Sequence, residues 1–265
     1  MKHYPIAGTE DVVSPPAEVR ILSRPTFDFS QFEAFLAHHE TTWEIDSTAT
    51  EPELMVEAAG RICYMSFGER QFRKSNRDYI SNLINQGHES VLEHASWTFL
   101  VVGVSRAFTH QLVRHRAGFS FSQLSQQYHD ESEALFVAPE EIRDVPEAML
   151  IWANSMRQAR DAYREILGRL PLATKNERER KRMIHSAARS ALPNCTETKI
   201  VVTANARAIR HFLTVRGTIV GDLEMRQVSS KILDLMQTEA PSLFRDFSTK
   251  QLDDGFPIIQ KSDQK

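Results

Sequence analysis

The sequence predicts an α+β fold rich in helix, because long amphipathic segments are combined with two short segments of strand character. Apolar residues recur at helical spacing over 145–168, 176–192 and 222–238, a pattern typical of helices with one buried face. Residues 97–102 and 199–203 are rich in β-branched and aromatic residues, which favours buried strands. A chain of 265 residues, 41% of them hydrophobic, can bury a sizeable core in one large domain.

The first 45 residues are predicted to form an extension, because four prolines interrupt any regular pattern there. Within the extension we expect a short strand at 19–22 and a helix at 31–39. The main domain is expected to span residues 46–250. Residues 251–265 are predicted to form a flexible tail.

Two further helices are expected ahead of the first buried strand, at 51–64 and 76–85. Gly87 follows the second helix and is predicted to be a left-handed C-terminal cap, with a loop after it. In that loop, one interpretation of Ser90 is the N-cap of a short helix from residue 91 onward, with Glu93 completing a capping box, and this interpretation is compatible with a binding role for Ser90.

The charge balance argues against general nucleic-acid binding, because a formal net charge of −3 lacks the basic excess of such proteins. No apolar run approaches the ~20 residues of a membrane span, and the start lacks a secretory-signal layout. We therefore expect a cytoplasmic protein that binds neither nucleic acid nor membrane. Cys63 and Cys195 are too few for a disulfide framework or a cysteine-rich metal site. The histidine spacings fit no helix-borne metal pair, so no metal is expected.

A basic triplet at 114–116, Arg-His-Arg, predicts a site for anions. Adjacent positive side chains repel one another, so their proximity is favoured when a polyanion such as a nucleotide phosphate lies among them. The segment 105–116 begins with a capping residue, Ser105, and has apolar residues at helical spacing. We expect a helix that presents Gln111 and the first two residues of the triplet on one face, with Arg116 starting the exit loop. A solvated helix end, whose arginines favour the negative C-terminal dipole, is the alternative interpretation.

Four sequence blocks, taken together, carry a family resemblance. The basic triplet is followed by Ser125, and the other blocks are residues 87–94, 188–194 and 205–216. In order and spacing, over roughly residues 50–245, the chain resembles the flavin-dependent thymidylate synthase family. Four blocks in one order are far more specific than any single motif.

The resemblance implies both a fold and a reaction. It implies a central mixed or antiparallel sheet flanked by long helices, in a homotetramer whose active sites are shared among subunits. It implies reductive C5-methylation of a uridylate nucleotide, dUMP to dTMP, with FAD as cofactor and with NADPH and methylene-tetrahydrofolate as co-substrates. A cofactor is needed in any case, because no amino-acid side chain delivers hydride.

The resemblance also implies roles for individual residues. Arg216 would be catalytic, because a permanent cation in a water-poor pocket favours negative charge on the pyrimidine. The nucleotide would contact Gln111, Arg114, Gln123, Leu124, Ser125, Gln126, Gln127, Arg189 and Arg216. The FAD would contact Ser90, Glu93, Arg114, His115, Arg116, Gln123, Asn205, Arg207 and His211.

Three departures from the family pattern affect what can be inferred about the substrate. Eight residues precede Ser125 after the triplet, instead of the commoner seven, and Gly118 makes the longer loop feasible. Gln127 stands where the family often has an arginine that reaches the nucleotide phosphate, and Val220 where a histidine is frequent. Two alternatives stay open: an enzyme that methylates UMP as well as dUMP, and a non-catalytic nucleotide-binding protein.

Overall fold

The computed structural model describes residues 7–171 and 176–262. The chain divides into two compact units, each built from segments that are distant in sequence. The first unit comprises Met1–Glu18, Leu100–Arg114 and Phe121–Val201. The second comprises Val19–Phe99, His115–Ser120 and Val202–Lys265.

Helices dominate the described residues. The α-helices are α1 Phe29–His38, α2 Glu51–Ile62, α3 Asn76–Asn85, α4 Arg106–Leu112, α5 Glu140–Arg143, α6 Pro146–Arg169, α7 Glu177–Ala188, α8 Ala206–Arg216, α9 Leu223–Glu239 and α10 Pro241–Phe244. Short 3₁₀ helices cover Gly68–Arg70, Glu89–His94 and Arg189–Ala191. No helix in this part of the chain is both long enough and apolar enough to cross a membrane.

The strands form two sheets. They are β1 Glu18–Ser23, β2 Ser96–Ser105, β3 Phe119–Gln123, β4 Glu197–Asn205, β5 Phe247–Gln251 and β6 Pro257–Lys261. The four-stranded sheet has the order β1-β2-β4-β3, and β5 pairs antiparallel with β6. The predicted α+β class is therefore confirmed.

Each unit has its own hydrophobic core. In the first unit, Val12 packs with residues of the middle of the chain, Ala134, Phe136, Ala153 and Met156. In the second unit, one cluster of buried residues consists of Phe27, Leu36, Trp43, Leu54, Ala58 and Phe67. Val12, Phe27, Leu36 and Trp43 all lie in the segment predicted as an N-terminal extension. This segment thus contributes buried residues to both units. The boundary at residues 45 and 46 stays a prediction.

Most elements with strong periodicity lie where the sequence predicts them. α3 has the predicted bounds, and α1, α2, α6, α9 and β1 differ by a few residues at their ends. Gly87 follows α3 with a φ of 70°, which confirms the left-handed cap. The predicted strands at 97–102 and 199–203 are longer in the structure, as β2 and β4. The helix predicted at 176–192 ends at Ala188 and continues as a 3₁₀ turn.

The helix before the basic triplet is shorter than predicted. α4 ends at Leu112, and the N–H of Val113 bonds back to the carbonyls of Gln111 and Thr109 as a C-cap. The triplet therefore lies beyond the helix, and the expectation that Gln111 shares a helix face with its first two residues is wrong. The chain turns into β3 instead, through Gly118 with a φ of 73°.

Two other local predictions are also wrong. Residues Glu89–His94 form a 3₁₀ helix that starts after His88, without a side-chain cap, so Ser90 is not an N-cap. Because the short helix starts at Glu89, Glu93 is not at the N3 position of a capping box, and its carboxylate accepts a hydrogen bond from Arg207 instead. The flexible tail predicted at 251–265 contains β6, whose backbone pairs with β5.

Candidate functional site

The junction between β4 and α8 is built around Asn205. As the N-cap of α8, its side-chain Oδ1 accepts the N–H of Ala208 at 2.9 Å, which satisfies one of the free amides of the first turn. Its own N–H donates to the carbonyl of Gly118 at 3.3 Å. A Cβ at residue 118 would lie 2.7 Å from Asn205 Nδ2, so only glycine allows the longer loop to pack here.

Arg216, the predicted catalytic residue, is hydrogen-bonded to His115 of the basic triplet. Its Nε donates to His115 Nε2 at 3.0 Å, so this nitrogen is an acceptor and the imidazole is neutral in this arrangement. The rings of Phe212 and Phe119 lie 5.4 and 5.9 Å from the imidazole, centroid to centroid. The packed ring therefore fixes the direction of the guanidinium at the end of α8.

The pKa of His115 is lowered from the ordinary histidine value, first by burial and then by the positive charges of Arg216 and His211. All three causes disfavour the imidazolium. The hydrogen bond from Arg216 needs the same neutral form. Protonation of His115 would thus remove an acceptor and place a second cation beside the first.

We expect the contact between His115 and Arg216 to weaken as the pH falls. Because the folded-state pKa of His115 is lowered, the unfolded chain binds the proton first. The contribution of His115 to stability is complete above about 6.5, the unfolded value, and is lost as the pH falls through the lower folded value. NMR titration of the imidazole resonances, with a His115→Asn variant to assign the signal, measures this pKa. A value above that of a free histidine would contradict the neutral-acceptor interpretation.

The first turn of α8 is linked by ion pairs to the 3₁₀ helix Glu89–His94. Arg207 Nη1 lies 2.6 Å from Glu93 Oε1, and Arg207 Nε lies 3.5 Å from Glu89 Oε2. Both pairs are solvent-exposed, so they contribute little to stability and chiefly orient the side chains. Ser90 is exposed on the same short helix, and the ring of His211 lies 5.9 Å from that of His115.

The two arginines of the basic triplet are exposed. Within residues 7–171 and 176–262, neither the Arg114 nor the Arg116 guanidinium has a hydrogen-bonding or ion-pairing partner. An unpaired guanidinium offers several N–H donors in a planar fork, a geometry that matches phosphate oxygens. Both side chains are therefore free to bind an anion.

The segment 123–127 in the first unit is held by polar contacts. Gln123 Nε2 donates to Thr109 Oγ1 at 3.0 Å and to Thr198 Oγ1 at 3.3 Å. The N–H of Leu124 donates to the carbonyl of Lys199 at 2.9 Å. These contacts leave the carboxamide oxygen of Gln123 available as an acceptor.

The next residues of the segment form a tight turn. The Ser125 hydroxyl accepts the N–H of Gln127 at 3.3 Å, and among the described residues it contacts no side chain that could deprotonate it. Gln126 is buried, and its Nε2 has no partner among them. An unsatisfied buried donor is costly, so a ligand acceptor at this position would be stabilising.

Arg189 lies near a half-buried arginine that no sequence motif indicates, Arg106. Burial lowers the pKa of Arg106, the positive charge of Arg189 lowers it further, and Glu131 acts in the opposite direction. Two neighbouring guanidinium groups with partial shielding from water repel each other, and an anion would offset that cost. Arg106 is the first residue of α4, a position that carries no sequence signal for function.

Comparison with known proteins decides the family. Residues 45–242 match the family model described as thymidylate synthase complementing protein. A flavin-dependent thymidylate synthase of Corynebacterium aurimucosum is 42% identical over 226 residues, 84% of this chain and 90% of that protein. A flavin-dependent thymidylate synthase of Mycolicibacterium vanbaalenii is 43% identical over 228 residues, again 84% of this chain and 90% of that protein. This chain belongs to the flavin-dependent thymidylate synthase family.

Membership in the flavin-dependent thymidylate synthase family confirms the resemblance seen in the four sequence blocks. Within the second unit, the structure brings together the predicted residues His115, His211 and Arg216, and separately Glu93 and Arg207. Within the first unit, Gln123 to Gln127 form one continuous segment. The contacts of these residues with ligands stay predictions.

Proposed function

We propose that this chain is a FAD-dependent enzyme that methylates dUMP at C5 to give dTMP. The observation that carries the proposal is the half-buried Arg216, whose guanidinium is fixed 3.0 Å from a neutral His115. A permanent cation held in a partly dry position stabilises negative charge that develops on a pyrimidine. The names of the relatives, which cover 84% of this chain, support the same reaction.

The donor set fits FAD. The unpaired Arg116 guanidinium suits a pyrophosphate, and Asn205 keeps its Nδ2 donor, since capping of α8 uses only its oxygen. The residues proposed to hold the cofactor are those of the basic triplet, Ser90, Glu93, Gln123, Asn205, Arg207 and His211. When bound, the reduced flavin supplies the hydride that the side chains lack.

Two co-substrates complete the proposed reaction. A methylene group becomes a methyl group only if two electrons are added, so a one-carbon donor and a reductant are both required. We assign these roles to methylene-tetrahydrofolate and NADPH. The chain's own task is to bind and orient the nucleotide, with Arg114, Gln111 and Arg189 joining residues 123–127 around it.

We also propose a homotetramer with active sites shared among subunits. The exposed, unpaired Arg114 and Arg116 support it, because such side chains are best offset where a ligand or a partner covers them. Light scattering of the purified protein would measure the assembly. A monomeric mass at micromolar concentration would reject the proposal.

The test of the function combines FAD, NADPH, methylene-tetrahydrofolate and dUMP with the purified protein. We expect the flavin absorbance to bleach on addition of NADPH, and dTMP to form in proportion to NADPH consumed. A folded protein that fails to retain or titrate FAD at micromolar concentration would reject the proposal. Nucleotide binding without NADPH oxidation or product would instead favour the non-catalytic alternative.

A second substrate, UMP, is favoured by the longer loop at Gly118 and by the neutral side chain of Gln127. A pocket that merely tolerates an added hydroxyl discriminates by only about a hundredfold. We therefore expect kcat/KM for dUMP to exceed that for UMP by no more than that factor. Measuring both nucleotides under identical conditions tests this. A preference for dUMP above about ten-thousandfold would mean active exclusion of the 2′-hydroxyl and a dedicated thymidylate synthase.

A further inference from the structure

One face of α7, in the first unit, carries four basic side chains. They are spaced three, one and three residues apart, so they project from the same side of the helix. With an amide and an aromatic ring from the end of the segment 123–127, they line a cavity of about 510 Å³, within the usual range of small-molecule sites. These side chains belong to Gln127, Tyr128, Arg178, Lys181, Arg182 and His185, and Asn176 and the Glu177 carboxylate complete the lining.

The positive charges on this face are only weakly compensated. Lys181 Nζ lies 3.1 Å from Glu177 Oε1, with both side chains more than half exposed. Arg182 Nη1 lies 3.6 Å from Glu179 Oε2, also in solvent. Exposed ion pairs of this kind contribute little to stability, so a ligand anion readily displaces the carboxylates from them. Arg178 has no side-chain partner among the described residues.

Arg182 is held by the residue that departs from the family pattern. Its Nε lies 3.4 Å from Gln127 Oε1, and its guanidinium carbon lies 5.9 Å from the centre of the Tyr128 ring. The neutral Gln127 carboxamide therefore accepts a hydrogen bond from the Nε edge of the Arg182 guanidinium. Nη2 makes no hydrogen bond within the part of the chain that the structure describes, and its N–H groups remain available to a ligand.

His185 adds a second indication of a ligand. It lines the same cavity, and its Nδ1 is shielded from solvent without a hydrogen-bond partner among the described residues. A shielded, unpartnered nitrogen is unfavourable in a protein that binds nothing there. A ligand oxygen, either acidic or anionic, would give His185 Nδ1 a hydrogen-bond partner.

We propose that this cavity binds a phosphate monoester, and that Arg182, oriented by Gln127, contacts the phosphate of the uridylate. The proposal rests on the proposed function, because Gln127 ends the segment assigned to the nucleotide. A positive charge is then supplied from α7, although residue 127 itself is neutral. A dianionic phosphate is the ligand that best matches several cations around one small cavity.

The test compares Arg182→Gln with Arg180→Gln in the FAD-loaded enzyme. Arg180 is on the same helix but does not line the cavity, so its variant controls for the loss of one positive charge on α7. We expect Arg182→Gln to raise the Kd for dUMP at least about tenfold, the low end for a charge-assisted hydrogen bond. The KM values for NADPH and methylene-tetrahydrofolate should stay unchanged, as should all ligand affinities of Arg180→Gln.

Rescue separates a phosphate contact from a structural role. In the Arg182→Gln background, Gln127→Arg should restore most of the affinity for dUMP, because it returns a guanidinium to the same cavity. Arg182→Lys, which keeps the charge but loses the contact from Nε, should fall between the wild type and Arg182→Gln. Circular dichroism checks that each variant is folded.

Three outcomes would overturn the proposal. The Kd for dUMP could be the same in Arg182→Gln and Arg180→Gln, the KM of NADPH or of the folate could rise instead, or Gln127→Arg could fail to rescue a folded variant. The second outcome would assign the cavity to a co-substrate. If the wild-type holoenzyme itself neither binds dUMP nor forms dTMP, the proposed function fails, independently of Arg182.

Discussion

Replacing Arg216 with alanine is expected to lower kcat/KM for dUMP by about a hundredfold or more, which corresponds to roughly 3 kcal/mol of transition-state stabilisation. The guanidinium is half-buried at the end of α8 and directed by its hydrogen bond to His115. A cation fixed before the reaction begins needs no reorganisation when negative charge develops on the pyrimidine. Its loss should therefore affect turnover more than ground-state binding.

Steady-state kinetics of Arg216→Ala with saturating co-substrates measure this effect, and thermal unfolding shows whether the fold is retained. Ser125→Ala serves as the comparison, because the serine hydroxyl has no base beside it among the described residues, and direct hydride transfer needs no covalent enzyme intermediate. We expect its defect to be the milder one. A trapped nucleotide covalently attached to Ser125 would require a different mechanism.

His115→Ala should reproduce part of the Arg216 defect, because the alanine variant keeps the cation and loses the group that directs it. Arg216→Lys would keep the charge and lose the planar geometry. A positioning role for His115 predicts that its variant changes kcat more than the KM for dUMP. Equal turnover of His115→Ala and the wild type would show that the hydrogen bond has no part in catalysis.

Local pattern was enough to predict the elements whose periodicity is long and regular. α3, α6 and α9 bury one face, and β4 is rich in β-branched residues, so a single dominant signal specifies each of them. The N-cap role of Ser105 and the left-handed cap at Gly87 follow from similar local chemistry. Periodic burial and capping depend on near neighbours in the chain, which the sequence shows directly.

Short elements were harder to predict from the sequence, since their conformation depends on tertiary contacts. The alternation Phe119-Ser-Phe-Ser-Gln123 is a strand pattern only five residues long, and it begins three residues after a basic triplet that suggested a helix end and a loop. β6 is likewise five residues long and gains its conformation by pairing with β5. Such segments carry too few residues for periodicity to be distinctive.

The arrangement of the candidate site was the least predictable feature. The hydrogen bond between Arg216 and His115 joins residues 101 positions apart, and that between Arg182 and Gln127 joins residues 55 apart. No local pattern indicates which of several arginines approaches a given histidine or glutamine. The half-buried Arg106 was missed for the same reason, because its burial comes from the folded chain.

A second large effect, on stability, is expected for the buried ion pair that holds α8 in place. Arg210, in the middle of this helix, forms two hydrogen bonds with Asp246, at 2.6 and 2.7 Å. The Arg210 side chain is 4% exposed and that of Asp246 is 1% exposed. The guanidinium also donates to the carbonyl of Leu243 and lies over the ring of Phe247. The pair thus fixes the helix that carries Arg207, His211 and Arg216.

We expect Asp246→Ala to lower the free energy of unfolding by about 3–5 kcal/mol, because it leaves a buried guanidinium without its counter-charge. Urea denaturation of the variant and the wild type measures the difference. Glu165→Ala is the matched control, since it removes an exposed ion pair with Arg169 and should cost less than about 1 kcal/mol. Equal stability of the two variants would mean that water or a rearranged side chain satisfies Arg210. In that case the orientation of α8, and with it the placement of Arg216, would have to depend on its apolar packing instead.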